Sequence, residues 1–501
     1  MSTNIREKIC GNCTLQAYGI SYKIKVEKRI WEIGSDCSGW QSAHFPERKS
    51  MRAGLLPLYI DIYDVHSRHV RPRLRAFYDE IAKRLGDFGI EIITTEDFCC
   101  LKPQFEEAVA LFESAHADAI ITLHMAYSPS LEAVDALVGT DLPIVICDTT
   151  ETRTFTNLQS EGEIMYNHGI HGVMDLASML KRRGKPYAIA AGHFETSDVL
   201  RETAGLVRAA VAAKAFSCQK VGLFGGAFEG MGDFAVDPEE LKERFGVSVE
   251  TFPAELLPKA ADEVSREAAR KEAALDREHY DFPADVDEQG YERSVAVGLG
   301  LRKIIADRGL TAFSVNFRTV RELPFIECCK AMERGTGYAG EGDALTAAVC
   351  GALLSGFPET GFVEIFCPDW ENDMLYLSHM GEVNYRLIES KPSVAHAGGF
   401  VDTYAAYARM KGGKGVYVNV SRGPEDYELL LAPAEMLSFD TDHFTGSMRG
   451  WMRPGNGMST AEFLKTLSVN GATHHSAFVY GATADELAFF GRLLAMKTVI
   501  L

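Results

Sequence analysis

AGLLPLYID (53–61), VRPRLRAFYDEIAKRLGDFG (70–89) and IEIITTE (90–96) follow one another with two different periods. The first and third are short apolar runs, as buried strands are. The middle segment repeats its apolar residues at helical spacing, with Leu74, Phe77, Ile81 and Leu85 on one face. Gly86 and Gly89 bracket its end. A strand, an amphipathic helix and a second strand make a parallel α/β unit.

Reading outward, the rhythm repeats. KPQFEEAVALFESA (102–115) and SLEAVDALVG (130–139) read as helices, DAIITLHM (118–125) and LPIVICD (142–148) as strands. Such alternation implies a parallel sheet covered on both faces. A second unit follows. It has strands at KPYAIAAGHF (185–194), KVGLFGG (220–226), VSVETF (247–252) and LTAFSVNF (310–317), with helices at 197–216, 240–247, 258–278 and 295–309. The charge-laced helix 258–278 reads as a solvated face. Beyond about residue 330, a helix at 343–356 gives way to short β segments, GFVEIF, NDMLYLSHMG, HAGGFV, GVYVNV and YELLLAP. The expected organisation is an N-terminal extension (1–50), then an α/β domain (51–184), a central α/β domain (185–330) and a β-rich domain (331–501). The fold class is two Rossmann-like parallel α/β domains followed by a β-rich C-terminal domain.

Composition excludes some roles. With 501 residues, 46% hydrophobic and 24% charged, the chain suits a globular protein of roughly three domains. A net charge of −19 argues against binding nucleic acid or anionic membranes, which need basic surfaces. No apolar run is long enough to span a bilayer, and MSTNIREKIC lacks a signal-peptide core, so the cytoplasm is the expected location. The 11 cysteines are scattered through apolar contexts and read as reduced thiols. Cys10 and Cys13 form a CxxC, but Cys37 and His44 complete a zinc site only at a poor spacing.

Several segments carry candidate chemistry. KVGLFGGAFEGMGDFAVD (220–237) is glycine-rich, but its helix starts only near Pro238, so a tight turn reads better than a phosphate loop. NHGIHG (167–172) sets His168 and His171 between glycines, as a weak metal pair or a substrate loop. GYAGEGDALTAA holds Glu341 and Asp343 ahead of a helix, where capping is also ordinary. GFVEIF embeds Glu364 in an apolar run, where a carboxylate either faces solvent or serves as ligand or base. LYLSHMGEV supplies His379, and GATHHSAF supplies His474 and His475. Together these give two carboxylates and two imidazoles, a set suited to Mn²⁺ or a similar divalent cation. Such a set suits proton transfer between adjacent sugar carbons through an enediol.

On these residues the chain resembles the L-arabinose isomerase and L-fucose isomerase superfamily, most closely its arabinose isomerase-like branch. The AGEGD segment implies a first catalytic glutamate at Glu341, and GFVEIF a second at Glu364. SHMGEV and THHS imply metal ligands at His379 and His475, alongside the two glutamates. NHGIHG, SVNF and KPYAIAAGHF extend the likeness upstream. They imply substrate contacts at His168, Asn316, Phe317 and His193, with Asp343 as another. The resemblance further implies an aldose–ketose isomerase acting on a pentose or hexose. It implies manganese or another divalent cation, and a homo-oligomer, a trimer or hexamer, whose subunits share active sites. A sugar epimerase or lyase would use the same metal site; a non-catalytic sugar-binding protein would need neither metal nor paired carboxylates. The NHGIHG loop differs from the glutamine-bearing form typical of the arabinose enzymes, a change that bears on sugar specificity.

Overall fold

The computed structural model describes residues 51–399 and 401–501. The N-terminal extension, with Cys10, Cys13, Cys37 and His44, lies outside the described residues.

The first sheet holds β1 (Met51–Leu58), β2 (Ile90–Thr94), β3 (Ala119–His124), β4 (Ile144–Asp148) and β5 (Tyr187–Ala191), all parallel, in the order β2-β1-β3-β4-β5. Alternate residues feed opposite faces. Leu56, Ile120, Ile144 and Ile146 pack on the helices Lys102–Ser114, Ser130–Gly139 and Ile170–Arg182. Leu55, Ile121, Val145 and Cys147 pack on Arg71–Gly86 and Val199–Phe216. The strand at 185–194, read as opening a second unit, instead completes this sheet: β5 pairs with β4 from Tyr187 to Ala191.

The second sheet holds β6 (Lys220–Phe224), β7 (Ser248–Phe252), β8 (Ala312–Val315) and β9 (Gly337–Gly340), parallel in the order β7-β6-β8-β9. The parallel sheet therefore runs past residue 330, and β9 delivers the chain to Glu341. The single helix expected at 258–278 is two, Leu256–Asp262 and Arg266–His279. Ser265 interrupts it, its side chain capping the second helix by accepting from the Ala268 amide at 3.2 Å.

The third region holds β10 (Thr360–Asp369), β11 (Met374–Ser378), the separate pair β12 (Ser393–Ala397) and β13 (Thr403–Tyr407), then β14 (Gly413–Arg422), β15 (Tyr427–Leu437), β16 (Gly450–Pro454), β17 (His475–Tyr480) and β18 (Lys497–Ile500). The pairings β14-β17-β10-β11-β16-β15 close through β14–β15 into a barrel, with β18 parallel to β15 outside it. Closure leaves the ring without an exposed edge. Cys99, Cys100, Cys147, Cys328, Cys329 and Cys350 are free and buried. Among the described residues, no helix is long and apolar enough to cross a membrane.

Candidate metal centre

The loop after β9 meets the barrel where β10, β11 and β17 lie side by side. Glu341 takes a left-handed backbone at φ 64°, rare for a residue with a side chain. Its neighbours explain why the loop cannot relax. A Cβ at Gly340 would lie 2.5 Å from His379 Cε1, and one at Gly342 only 2.4 Å from the Gly226 carbonyl. The Phe228 amide donates to the Glu341 carbonyl at 3.0 Å, and the Gly342 amide to Ser314 Oγ at 2.8 Å. Strain held by such surroundings gathers at functional sites.

Strand register supplies the rest. Glu364 on β10 sits directly opposite His475 on β17 and Ser378 on β11, so His379 follows at once. His379 Nε2 comes within 3.8 Å of Glu364 Oε2. Its other nitrogen, Nδ1, is 2.8 Å from Glu382 Oε2, which also accepts the Gly381 amide at 2.8 Å. Tyr338 donates its hydroxyl to the other Glu382 oxygen. His475 is fully buried; its Nδ1 is 3.1 Å from Asp343 Oδ2, and its ring lies flat on Phe234 at 4.9 Å. The outward nitrogens of both imidazoles are thus held by carboxylates, which fixes each ring and frees Nε2 for the cluster.

His475 Nε2 and Glu341 Oε2 are buried without a hydrogen-bond partner. Glu341, His474 and His475 form one group whose ligand atoms lie within 4.8 Å of one another, and Glu364, His379 and His475 form another. His475 belongs to both. The donors are carboxylate oxygen and imidazole nitrogen, which suit a divalent transition ion. His474 is half-buried and tethered to Asp233, its amide at 2.9 Å and Nδ1 at 2.6 Å from Oδ2; its Nε2 lies 3.8 Å from Glu341 Oε2.

The charges divide the two glutamates. Burial pushes Glu341 up, but the imidazoles, His474 foremost, outweigh it and hold the carboxyl below its ordinary range. Burial dominates at Glu364 and raises it, the imidazoles offsetting only part. For His474, burial lowers the ring but Glu341 and Asp233 lift it to about 9.

The structure brings Glu341, Glu364, His379 and His475 together. It places Asp343 elsewhere than expected: the side chain is fully buried behind His475, with its other oxygen accepting from the Thr346 amide at 2.9 Å as helix cap. Its oxygens are thus taken up by His475 and the helix start, and the side chain has no surface open to a sugar. Asn316 is also buried; it donates to the Gly226 carbonyl at 3.2 Å and accepts from the Arg318 amide at 3.0 Å. Phe317 packs on Phe228 at 5.6 Å. Both thus brace the glycine-rich loop beside Glu341. His168 bonds His171 at 2.8 Å, approaches the Tyr63 hydroxyl at 3.5 Å and stacks on Tyr127. His193 contacts the Glu151 carbonyl at 3.4 Å and the Glu195 amide at 3.3 Å. Those partners all belong to helices and loops around the first sheet, not to the cluster. Asp233, Phe234 and Glu382 were not foreseen. Glu382 stood three residues after His379, a spacing that could have flagged it; nothing marked Asp233 or Phe234 within a loop read as a turn.

The model of the L-arabinose isomerase central domain matches residues 228–355. L-arabinose isomerase 1 of Bacillus licheniformis is 25% identical over 409 residues, 78% of this chain and 83% of that protein. L-arabinose isomerase of Shouchella clausii is 24% identical over 418 residues, 79% of this chain and 85% of that protein. A solved periplasmic solute-binding protein of an ABC transporter from Actinobacillus succinogenes, with bound D-allose, covers 62% of this chain and 92% of its own at 15% identity. Its TM-score of 0.16 is too low to bear on the fold. Parallel α/β sheets joined to a closed barrel are consistent with the fold of the L-arabinose isomerases that the chain resembles. Over most of its length the chain is similar to L-arabinose isomerases, and its centre matches the model of their central domain.

Proposed function

We propose that the chain is a metal-dependent aldose–ketose isomerase acting on a pentose or hexose, an L-arabinose- or L-fucose-like sugar, through an enediol. The observation that carries this reading is His475 Nε2, buried without a hydrogen-bond partner and facing the same cluster as Glu341 Oε2, which His474 Nε2 approaches only to 3.8 Å. Burying such atoms unsatisfied is costly unless something binds them. Glu341, Glu364, His379 and His475 would hold Mn²⁺ or another divalent cation. When bound, the ion polarises the carbonyl and hydroxyl oxygens of the open-chain sugar and offsets enediolate charge.

The protein's own groups do the proton work. One of Glu341 and Glu364 removes the proton from the carbon beside the carbonyl, and a proton is returned to the former carbonyl carbon by the same carboxylate while the other moves a proton between the two oxygens, or by the other carboxylate itself. Asp343 and Glu382 hold the imidazoles so that their free nitrogens point inward. His474, anchored by Asp233, lies against Glu341 and favours its ionised form. His168 and His193 would reach the sugar from a second copy of the chain, in a homo-oligomer with shared sites.

The test is an isomerase assay. Protein stripped with chelator, reloaded with Mn²⁺ and offered a panel of aldoses should form ketose from at least one of them. Manganese binding without ketose from any sugar would move the reading to an epimerase, a lyase or a binding role.

A further inference from the structure

Apart from that cluster, a cavity of about 490 Å³ lies beside the helix Val199–Phe216, lined among others by Arg201, Arg208, Phe357, Glu359, Tyr480 and Glu486. Arg208 is half-buried there. Its hydrogen bond goes to the Phe88 carbonyl at 3.1 Å, and among the described residues no carboxylate pairs with it. The cavity's own anions make their direct contacts with other groups, although the charge of Glu486 also acts on Arg208. Glu359 pairs with Lys411 at 2.7 Å. Glu486, 3% exposed, accepts from the Thr483 amide at 2.9 Å as part of a helix cap, and its other oxygen lies 3.4 Å from Arg201. Gly205 keeps it in place, since a Cβ there would stand 2.1 Å from Glu486 Oε1. Arg208 is therefore a guanidinium with most of its donors free, facing a space with apolar walls at Phe357 and Tyr480. Burial lowers the Arg208 pKa and the charge of Glu486 offsets only part of that; a half-buried cation so placed gains from an anion that pairs with it directly, and the guanidinium fork matches phosphate.

We propose that this cavity binds a phosphomonoester of about the size of a sugar phosphate, its phosphate on Arg208 and Arg201 and its carbon body against Phe357 and Tyr480. The volume suits such a ligand, and so does a mostly apolar lining with a few convergent charges. The place gives binding a route to the other site. Gly356 ends the helix that Asp343 caps. Glu359 precedes β10, which carries Glu364, and Tyr480 ends β17, which begins at His475. Binding here is independent of the reaction proposed above; only an effect on turnover would rest on it.

The test is calorimetric titration of the manganese-loaded protein with inorganic phosphate and with a hexose 6-phosphate, in wild type, R208Q, R208K and R201Q. The hexose phosphate should bind wild type more tightly than inorganic phosphate does. R208Q should weaken it by about 10-fold or more, and R208K by less, because lysine keeps the charge but not the fork. Manganese affinity should stay unchanged in all three variants, which separates this cavity from the metal centre. If R208Q fails to fold, as circular dichroism would show, R201Q carries the same comparison. Equal affinity in wild type and the arginine variants, or no binding of either probe, would overturn the proposal, and would leave the isomerase assay untouched.

Discussion

Asp343 and Glu382 act on nitrogens that face away from the cluster, so their loss should loosen the site without emptying it of ligands. Asp343→Asn and Glu382→Gln are each expected to lower manganese affinity by about 10–100-fold, as such supporting carboxylates do. Calorimetry checks this, with circular dichroism to show that the fold persists. Glu341→Gln and Glu364→Gln should instead cut turnover by about 10²-fold or more; near wild-type rates in either would remove that residue from the proton path. Glu364 and His379 stood out in the sequence because a titratable side chain inside an apolar run needs a reason to be there, whereas Glu341, in a glycine-punctuated loop, and His475 stood out only through the family resemblance. Asp233 stood out in neither way. It meets His474 across 241 residues, and only the folded chain brings the two together.

At the scale of elements, β3 ends in an unusual residue. His124 is buried, its Nδ1 is 2.9 Å from Ser128 Oγ, and its Nε2 has no partner. Burial pushes it down to about 3 from an ordinary value of 6.5. The sign follows. The unfolded chain takes a proton below pH 6.5 and the folded one does not, so this stability is complete above 6.5 and drains as pH falls toward 3. The slope is about 1.4 kcal/mol per pH unit. Urea midpoints between pH 4 and 6.5 should therefore fall less steeply for His124→Asn than for wild type; parallel slopes would refute it. The strand–helix alternation around this residue was readable because parallel strands buried on both faces are short continuous apolar runs. The break at Ser265 was not, since helical periodicity continues across a cap.

For the whole molecule, sheet membership was the hard part. Strand positions showed in the sequence, but β5's place in the first sheet and β9's in the second depend on which neighbour each strand finds. Within the barrel, β10 pairs with β17 in a register that joins Thr360 to Val479. No local pattern encodes such a pairing. The shared-site reading makes a prediction at this scale. Glu341→Gln and His168→Ala, each inactive alone, should regain roughly a quarter of wild-type activity when unfolded together in equal amounts and refolded, because random neighbours then complete some sites. Complementation that never exceeds the sum of the two parents would place every catalytic group within one chain.

The left-handed backbone at Glu341 has an evolutionary corollary. Glycine would occupy that conformation freely, and Glu341→Gly should raise thermal stability by about 1 kcal/mol while abolishing turnover. On the function proposed above, selection for the reaction keeps glutamate there against a standing advantage for glycine. In a lineage released from that selection, AGEGD should decay first to AGGGD, which would make one codon a record of lost activity.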